Sequence, residues 1–393
     1  MSTIKGGTEM AVYQVKLPAC TYAGEKSIEK IREIIKKEKA ASVLVFTDKG
    51  VEGAGLLEFL IKELEAVQVK YQIADDLKAE PSYQEIEQCL EKINGTDTDL
   101  VIALGGGSVM DTAKLFSLLK DAPYTVKELL MDASIAEKRL KSVMIPTTCG
   151  TGAEATCNAI VAVPEEQSKK GIVNEVMIPD YVILDACMIR MLPRAVVAAT
   201  GVDALAHVVE CYTSKKATPL SNTYAMAGAK LIFHNILRAY SHPDDMQAKE
   251  NMMLGAYYGG IAINASGTTA VHALSYPLGG KYHIAHGVSN AILFAHVMEY
   301  NRASCEKELA ELCDGVYPEF FEKTQEEKSL HMISEIRNIV EKVQIPTDLN
   351  QFGITREDIE FLTEAGSGQT RLLVNNRREL SKEDIRLIYE KVF

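Results

Sequence analysis

From Ser27 to Asp185 the chain alternates short apolar runs with amphipathic segments, and no other pattern narrows the possible folds as far. Strands that follow one another through helices lie parallel in one sheet, because a tight turn cannot return the chain in a parallel sense. The stretch SIEKIREIIKKEKA reads as a helix leading into the strand SVLVFTD, and LLEFLIKELEAV leads into VKYQIAD. EIEQCLEKINGT then leads into DLVIALGGG, a further helix opens at Ser108, and KSVMIPTT and YVILD read as later strands of the same sheet. From about Pro193 the period changes to that of long helices, as in AVVAATGVDALAHVVECYTS and SNAILFAHVMEYN. The expectation is two domains: an α/β unit with a parallel sheet over residues 1–192 and an all-helical unit over 193–393. A chain of 393 residues is long enough to give each its own core.

Charge and cysteine usage exclude several classes. A formal net charge of −12 argues against nucleic-acid binding, which needs a basic face to displace counterions from phosphates. The 8 cysteines show no CxxC pairing and read as reduced thiols of a cytoplasmic protein. The N-terminal MSTIKGGTEM lacks a basic region followed by an apolar stretch, and no run of about eighteen apolar residues occurs, so neither export nor a membrane association is expected.

Two polar turns fall at strand ends, where open parallel sheets bind ligands. The strand DLVIAL runs into Gly105, Gly106, Gly107 and Ser108 and then into a helix, a context in which free N–H groups and the helix dipole favour a pyrophosphate. The spacing is not GxGxxG, and a glycine turn can also be purely structural. SVMIP ends in Thr147, Thr148 and, beyond Gly150, Thr151, which offer hydroxyls to a nucleotide or caps to a helix. Asp48 closes another strand, where its carboxylate suits a ribose diol and repels a 2′-phosphate, favouring NAD over NADP; it suits a turn or cap equally.

In the second half Asp203 and His207 lie four residues apart on one helical face, and His272, His283 and His286 fall within fifteen residues. Carboxylate and imidazole donors suit Fe(II) and Zn(II), and a position left open would let the ion polarise an alcohol or carbonyl oxygen. Pro277 and the Gly279–Gly280 pair are expected to interrupt the helix carrying His272 before His286.

The segments GGGSVMDTAK (105–114), PTTCGTGAE (146–154), TGVDALAHVVECY (200–212) and VHALSYPLGGKYHIAHGVSNAI (271–292) together resemble the iron-containing, or group III, alcohol dehydrogenase family. They occur in the family's order from about residue 43 to the C-terminus. The resemblance implies a Rossmann-like nucleotide domain, a helical metal-binding domain, and a site in the cleft between them. It places metal ligands on Asp203, His207, His272 and His286, with Fe(II) ahead of Zn(II), and cofactor contacts on Asp48, Gly105 to Ser108, Thr147, Thr148 and Thr151. A lysine near the nicotinamide ribose falls on Lys169, with Lys170 as the neighbouring choice. The implied activity is hydride transfer between NAD(H) and a small primary alcohol or aldehyde, in a homo-oligomer, with dimers common.

This chain departs from that pattern twice. Tyr276 stands four residues after the third ligand, where several members carry histidine, so Tyr276 is assigned the catalytic proton, with His283 or solvent as alternatives and a packing role beside Pro277 equally open to it. Glu80–Pro81 replaces an Asn–Pro found near the cofactor in some members. The SYP variant at 275–277 resembles branches acting on hydroxy acids such as 4-hydroxybutyrate, and Arg371, Arg377 and Arg378 could meet such an anion. Two competing readings stay open: a zinc-dependent lyase related to dehydroquinate synthase, and a non-catalytic nucleotide or metal sensor.

Overall fold

The computed structural model describes residues 12–93 and 95–393; residues 1–11, which include the segment MSTIKGGTEM, and Asn94 lie outside the described residues. The expected alternation is present. Strand β1 (Cys20–Ala23) is followed by α1 (Ile31–Glu38), β2 (Ser42–Phe46), α2 (Lys49–Gly53), α3 (Leu56–Ala66), β3 (Lys70–Ala74), α4 (Tyr83–Ile93) and β4 (Leu100–Gly105). Next come α5 (Gly107–Leu119), α6 (Val126–Met131), β5 (Lys141–Pro146), β6 (Asn158–Val163), β7 (Ser168–Val173) and β8 (Tyr181–Leu184).

Six strands form one sheet in the order β1-β8-β5-β4-β2-β3, every neighbouring pair parallel. The central β4 is buried at all six positions, as a strand covered by helices on both faces must be. From β2 the chain first steps outward to β3 and then crosses to β4 on the other side. That reversal opens a crevice beyond the carboxyl ends of β2 and β4, where Asp48 and the glycine turn stand.

Two strand features escape the sequence pattern. The edge strand β1 is only four residues long. The antiparallel hairpin of β6 and β7 lies apart from the main sheet, and its SKKGIV strand carries two adjacent lysines and a glycine that hide any apolar alternation.

The second half is helical: α7 (Arg194–Thr213), α8 (Pro219–Ser241), α9 (Met246–Ser266), α10 (Ala270–Tyr282), α11 (His286–Val316), α12 (Gln325–Lys342), α13 (Ile359–Ser367), α14 (Thr370–Leu373) and α15 (Lys382–Glu390). Helix α7 is buried at every position from Gly201 to Thr213, and apart from Asp203, His207 and Glu210 that stretch is largely apolar. By length and composition it could cross a membrane, but 78% of the apolar window is buried inside the protein. It is the central core helix of this half.

One expectation needs correction. Helix α10 runs straight through Pro277 and ends only at Tyr282. Pro277 lacks the N–H that would meet the Ala273 carbonyl, and the buried Tyr389 hydroxyl donates to the neighbouring Leu274 carbonyl at 2.6 Å. The break before His286 is made by His283, which takes a left-handed conformation with φ 55°.

Candidate metal centre and nucleotide crevice

Three long helices bring the four candidate ligands together. Asp203 and His207 share the inner face of α7, His272 sits in the first turn of α10, and His286 is the first residue of α11. The Nε2 atoms of His207, His272 and His286 lie 3.8, 3.5 and 3.5 Å from Asp203 Oδ1. Ligand atoms held about 2.1 Å from one ion in a tetrahedron are about 3.4 Å apart, so this spacing fits a shared metal. Asp203, His207 and His272 form the tightest trio, with donor atoms all within 4.8 Å of one another, and His286 joins through Asp203. Close approach of α11 to α7 depends on Gly287, where a Cβ would stand 2.0 Å from the Ala199 carbonyl oxygen.

The protonation pattern points the same way. His207 Nε2 and His272 Nε2 are 2.9 Å apart, a separation that two imidazole nitrogens tolerate only around a shared proton or cation. Burial pushes His286 down to about 3 and lowers His207, which leaves neutral rings able to donate electron pairs. Burial also opposes ionisation of Asp203, but His207, His286 and His272 outweigh it and hold the carboxyl well below its usual range. His272 behaves differently: burial disfavours its charge, yet Glu210 and Asp203 prevail and raise it to about 9.

Glu210 and Asn290 complete this centre, and neither was singled out from the sequence. Glu210, fully buried one turn beyond His207, takes the Nδ1 proton of His272 on Oε2. Its Oε1 accepts from Thr269 N, Thr269 Oγ1 and Val271 N at 2.9, 2.6 and 2.9 Å. The carboxylate therefore fixes the ring so that Nε2 faces the other ligands. Asn290 Nδ2 donates to Asp203 Oδ1 at 2.7 Å, from the position four residues after His286. The i,i+4 rule that paired Asp203 with His207 would have found Asn290 on α11, and i,i+3 spacing from His207 would have found Glu210.

The nucleotide residues gather in an adjoining crevice of about 580 Å³, lined by Asp48, Gly106, Gly107, Ser108, Thr147 and Thr148 among others. Asp48 caps α2 through Oδ1, which accepts from Gly50 N and Val51 N at 2.8 and 2.9 Å, leaving Oδ2 without a partner among the described residues. Capping and ribose binding are thus compatible at this one side chain. Helix α5 begins at Gly107 with no side chain among the described residues capping its amides, an arrangement suited to an anion. Gly105 packs on Val109, where a Cβ would come within 2.5 Å, so the turn before α5 needs glycine here.

A second cavity of about 360 Å³ contains the metal-site residues and meets the crevice at Gly107 and Ser108. Thr151 and Lys169 line it. Lys169 is buried on β7 with Nζ 2.7 Å from Glu80 Oε2, whereas Lys170 is exposed and paired with Glu166. Glu80 ties the two halves together: its N–H donates to Ser108 Oγ at 2.9 Å and its Oε1 accepts from His286 N at 3.2 Å. Tyr276 is buried in the cavity wall, its ring 6.0 Å from that of His286, and burial raises its phenol above the ordinary value. His283 is exposed at the end of α10, with its backbone in the left-handed region.

Known proteins resemble this chain over nearly its whole length. The family model described as iron-containing alcohol dehydrogenase matches residues 18–186, and that of the Fe-containing alcohol dehydrogenase family, C-terminal, matches 197–393. Long-chain-alcohol dehydrogenase 1 of Geobacillus thermodenitrificans is 34% identical over 98% of this chain and 98% of its own. The 4-hydroxybutyrate dehydrogenase of Clostridium kluyveri is 32% identical over 80% of this chain and 84% of its own. A solved alcohol dehydrogenase from Oenococcus oeni superposes with a TM-score of 0.92 at 26% identity, covering 97% of this chain and all of that one, 100%.

Proposed function

Because the chain belongs to the iron-containing alcohol dehydrogenase family, we propose that it transfers hydride between NAD(H) and a primary alcohol or aldehyde, specifically an ω-hydroxy acid of the 4-hydroxybutyrate kind or its semialdehyde. The observation that carries this reading is the junction at Gly107 and Ser108, where a nucleotide crevice opens into the cavity holding Asp203, His207, His272 and His286. The substrate class is supported by the C. kluyveri relative.

Asp203, His207, His272 and His286 would hold the metal; bound there, Fe(II) supplies Lewis acidity toward a substrate oxygen, as Zn(II) also could, and the nicotinamide supplies the hydride. The protein's own part is positioning and electrostatics. Asp48 binds the ribose diol, which selects NAD over NADP, and the open amides of α5 with Thr147, Thr148 and Thr151 receive the diphosphate end. Lys169, held by Glu80, lies between the nucleotide turn and the first turn of α11, where it can meet the nicotinamide ribose. Glu210 and Asn290 keep the ligands aimed inward. Tyr276, kept protonated by burial, donates a proton from Oη as an aldehyde is reduced.

The same reading divides the chain at residues 192 and 193, which the start of α7 at Arg194 supports. It places the protein in the cytoplasm, a setting that its eight unpaired cysteines suit. The test is NADH oxidation by protein reconstituted anaerobically with Fe(II) or Zn(II), across short aldehydes and succinic semialdehyde. Turnover that disappears with a chelator and returns with metal is expected. Stoichiometric metal and bound NADH without turnover of any aldehyde would defeat this reading in favour of the lyase or the sensor.

A further inference from the structure

The fold separates the three arginines near the C-terminus. Arg377 donates Nε to the Thr213 carbonyl at 3.1 Å and pairs with Glu308 at 3.0 Å. Arg378 donates to the Tyr300 carbonyl at 2.8 Å and lies over the Tyr300 ring. Both are committed to structure. Arg371 has no hydrogen-bond or ion-pair partner among the described residues, yet it lines the cavity that holds the metal-site residues. Its guanidinium rests on the hairpin, where a Cβ at Gly171 would stand 2.9 Å from Nη2. Gln369, two residues earlier, donates to Ser168 Oγ at 3.0 Å and ties the same segment to the start of β7.

The acidic side chains around this cavity each face a basic group. Glu80 faces Lys169 at 2.7 Å, Asp111 faces Lys114 at 3.2 Å, and Asp203 faces the imidazoles. Arg371 and Lys216, both exposed, line the cavity wall, and neither side chain has a hydrogen-bond or ion-pair partner among the described residues. Two cations without a partner on the wall of a concave site suit a small anion. The nucleotide does not account for them, since neither residue lines the crevice containing Asp48 and Thr147.

We propose that Arg371 is the specificity-determining residue of the substrate site. Its planar fork receives the remote carboxylate of a short oxo or hydroxy acid whose reacting end lies at the metal residues, and Lys216 adds charge at the solvent edge. The inference rests on the reductase reading above and deepens it.

The experiment compares metal-loaded wild type, Arg371→Gln and Arg371→Lys on succinic semialdehyde and on butyraldehyde, its uncharged counterpart. Calorimetric binding of succinate to each protein with NAD present supplies a readout that needs no turnover. Arg371→Gln is expected to lower the ratio of kcat/KM for succinic semialdehyde over butyraldehyde by about 30-fold, chiefly through KM, as loss of charge-assisted hydrogen bonds predicts. It should weaken succinate binding in parallel, and Arg371→Lys should restore part of both, because a point charge replaces the fork. An unchanged ratio with unchanged succinate binding, or an equal loss accompanied by weaker NADH binding, would overturn the proposal. If wild type turns over neither aldehyde the reductase reading fails, and succinate binding still decides whether Arg371 holds a carboxylate.

Discussion

Glu210 takes the Nδ1 proton of His272, and the opposite nitrogen of the same ring consequently faces Asp203 Oδ1 at 3.5 Å. The orientation is over-determined, since three further donors hold the other oxygen of Glu210. Glu210→Gln would turn an amide toward groups that are all donors. Metal affinity, measured by competition with a chelator, is expected to fall about 10- to 100-fold, the usual cost of losing such a partner. NADH binding should stay as in the wild type. Undiminished metal affinity would mean that the ring is held by packing alone.

Asp48 offers one oxygen to helix capping and keeps the other free. Serine caps nearly as well as aspartate but carries no charge to repel a 2′-phosphate, so Asp48→Ser separates the two roles. The ratio of kcat/KM for NADPH over NADH should rise at least about tenfold, helped by Lys49 and Lys78 in the same crevice, with little change in Tm. A constant ratio would show that Asp48 is only a cap.

Tyr276 is buried 6.0 Å, ring to ring, from His286, and its raised phenol pKa lets it donate a proton but not remove one near neutral pH. Tyr276→Phe preserves the packing and removes only the hydroxyl. The kcat for aldehyde reduction should fall by about 100-fold, with metal content and NADH affinity kept, as expected of a lost proton donor. A kcat within twofold of wild type would make Tyr276 a packing residue and leave the proton to solvent.

Glu154 is wholly enclosed, and burial raises its carboxyl from the ordinary 4.5 to about 7. Below about pH 4.5 the folded and unfolded chains both keep that proton, so the native state bears no penalty. As pH rises through 7 the folded chain must either retain the proton or bury a charge, and stability is lost by roughly 3 kcal/mol at about 1.4 kcal/mol per unit. Glu154→Gln should therefore gain on wild type between pH 5 and pH 8 in urea denaturation. A stability difference independent of pH would show that Glu154 does not titrate in that window.

Several parts of this molecule were written in local order along the chain. The apolar alternation of β2, β3, β4, β5 and β8, the glycine turn before α5, and the four-residue spacing of Asp203 and His207 all follow from hydrogen-bond periods that neighbouring residues set among themselves. Other parts depended on which helices cross. Glu210 meets His272 across 62 positions only because the first turn of α10 comes up against α7, and His286 reaches Asp203 only because Gly287 lets α11 close on α7. Lys169 lies on a hairpin with no clean alternation, and Arg371 differs from Arg377 and Arg378 solely in what surrounds it. Local sequence determined the elements and the kinds of donor they carry. Tertiary packing decided which donors share a centre, because burial and partner distance are properties of the crossing and not of the chain.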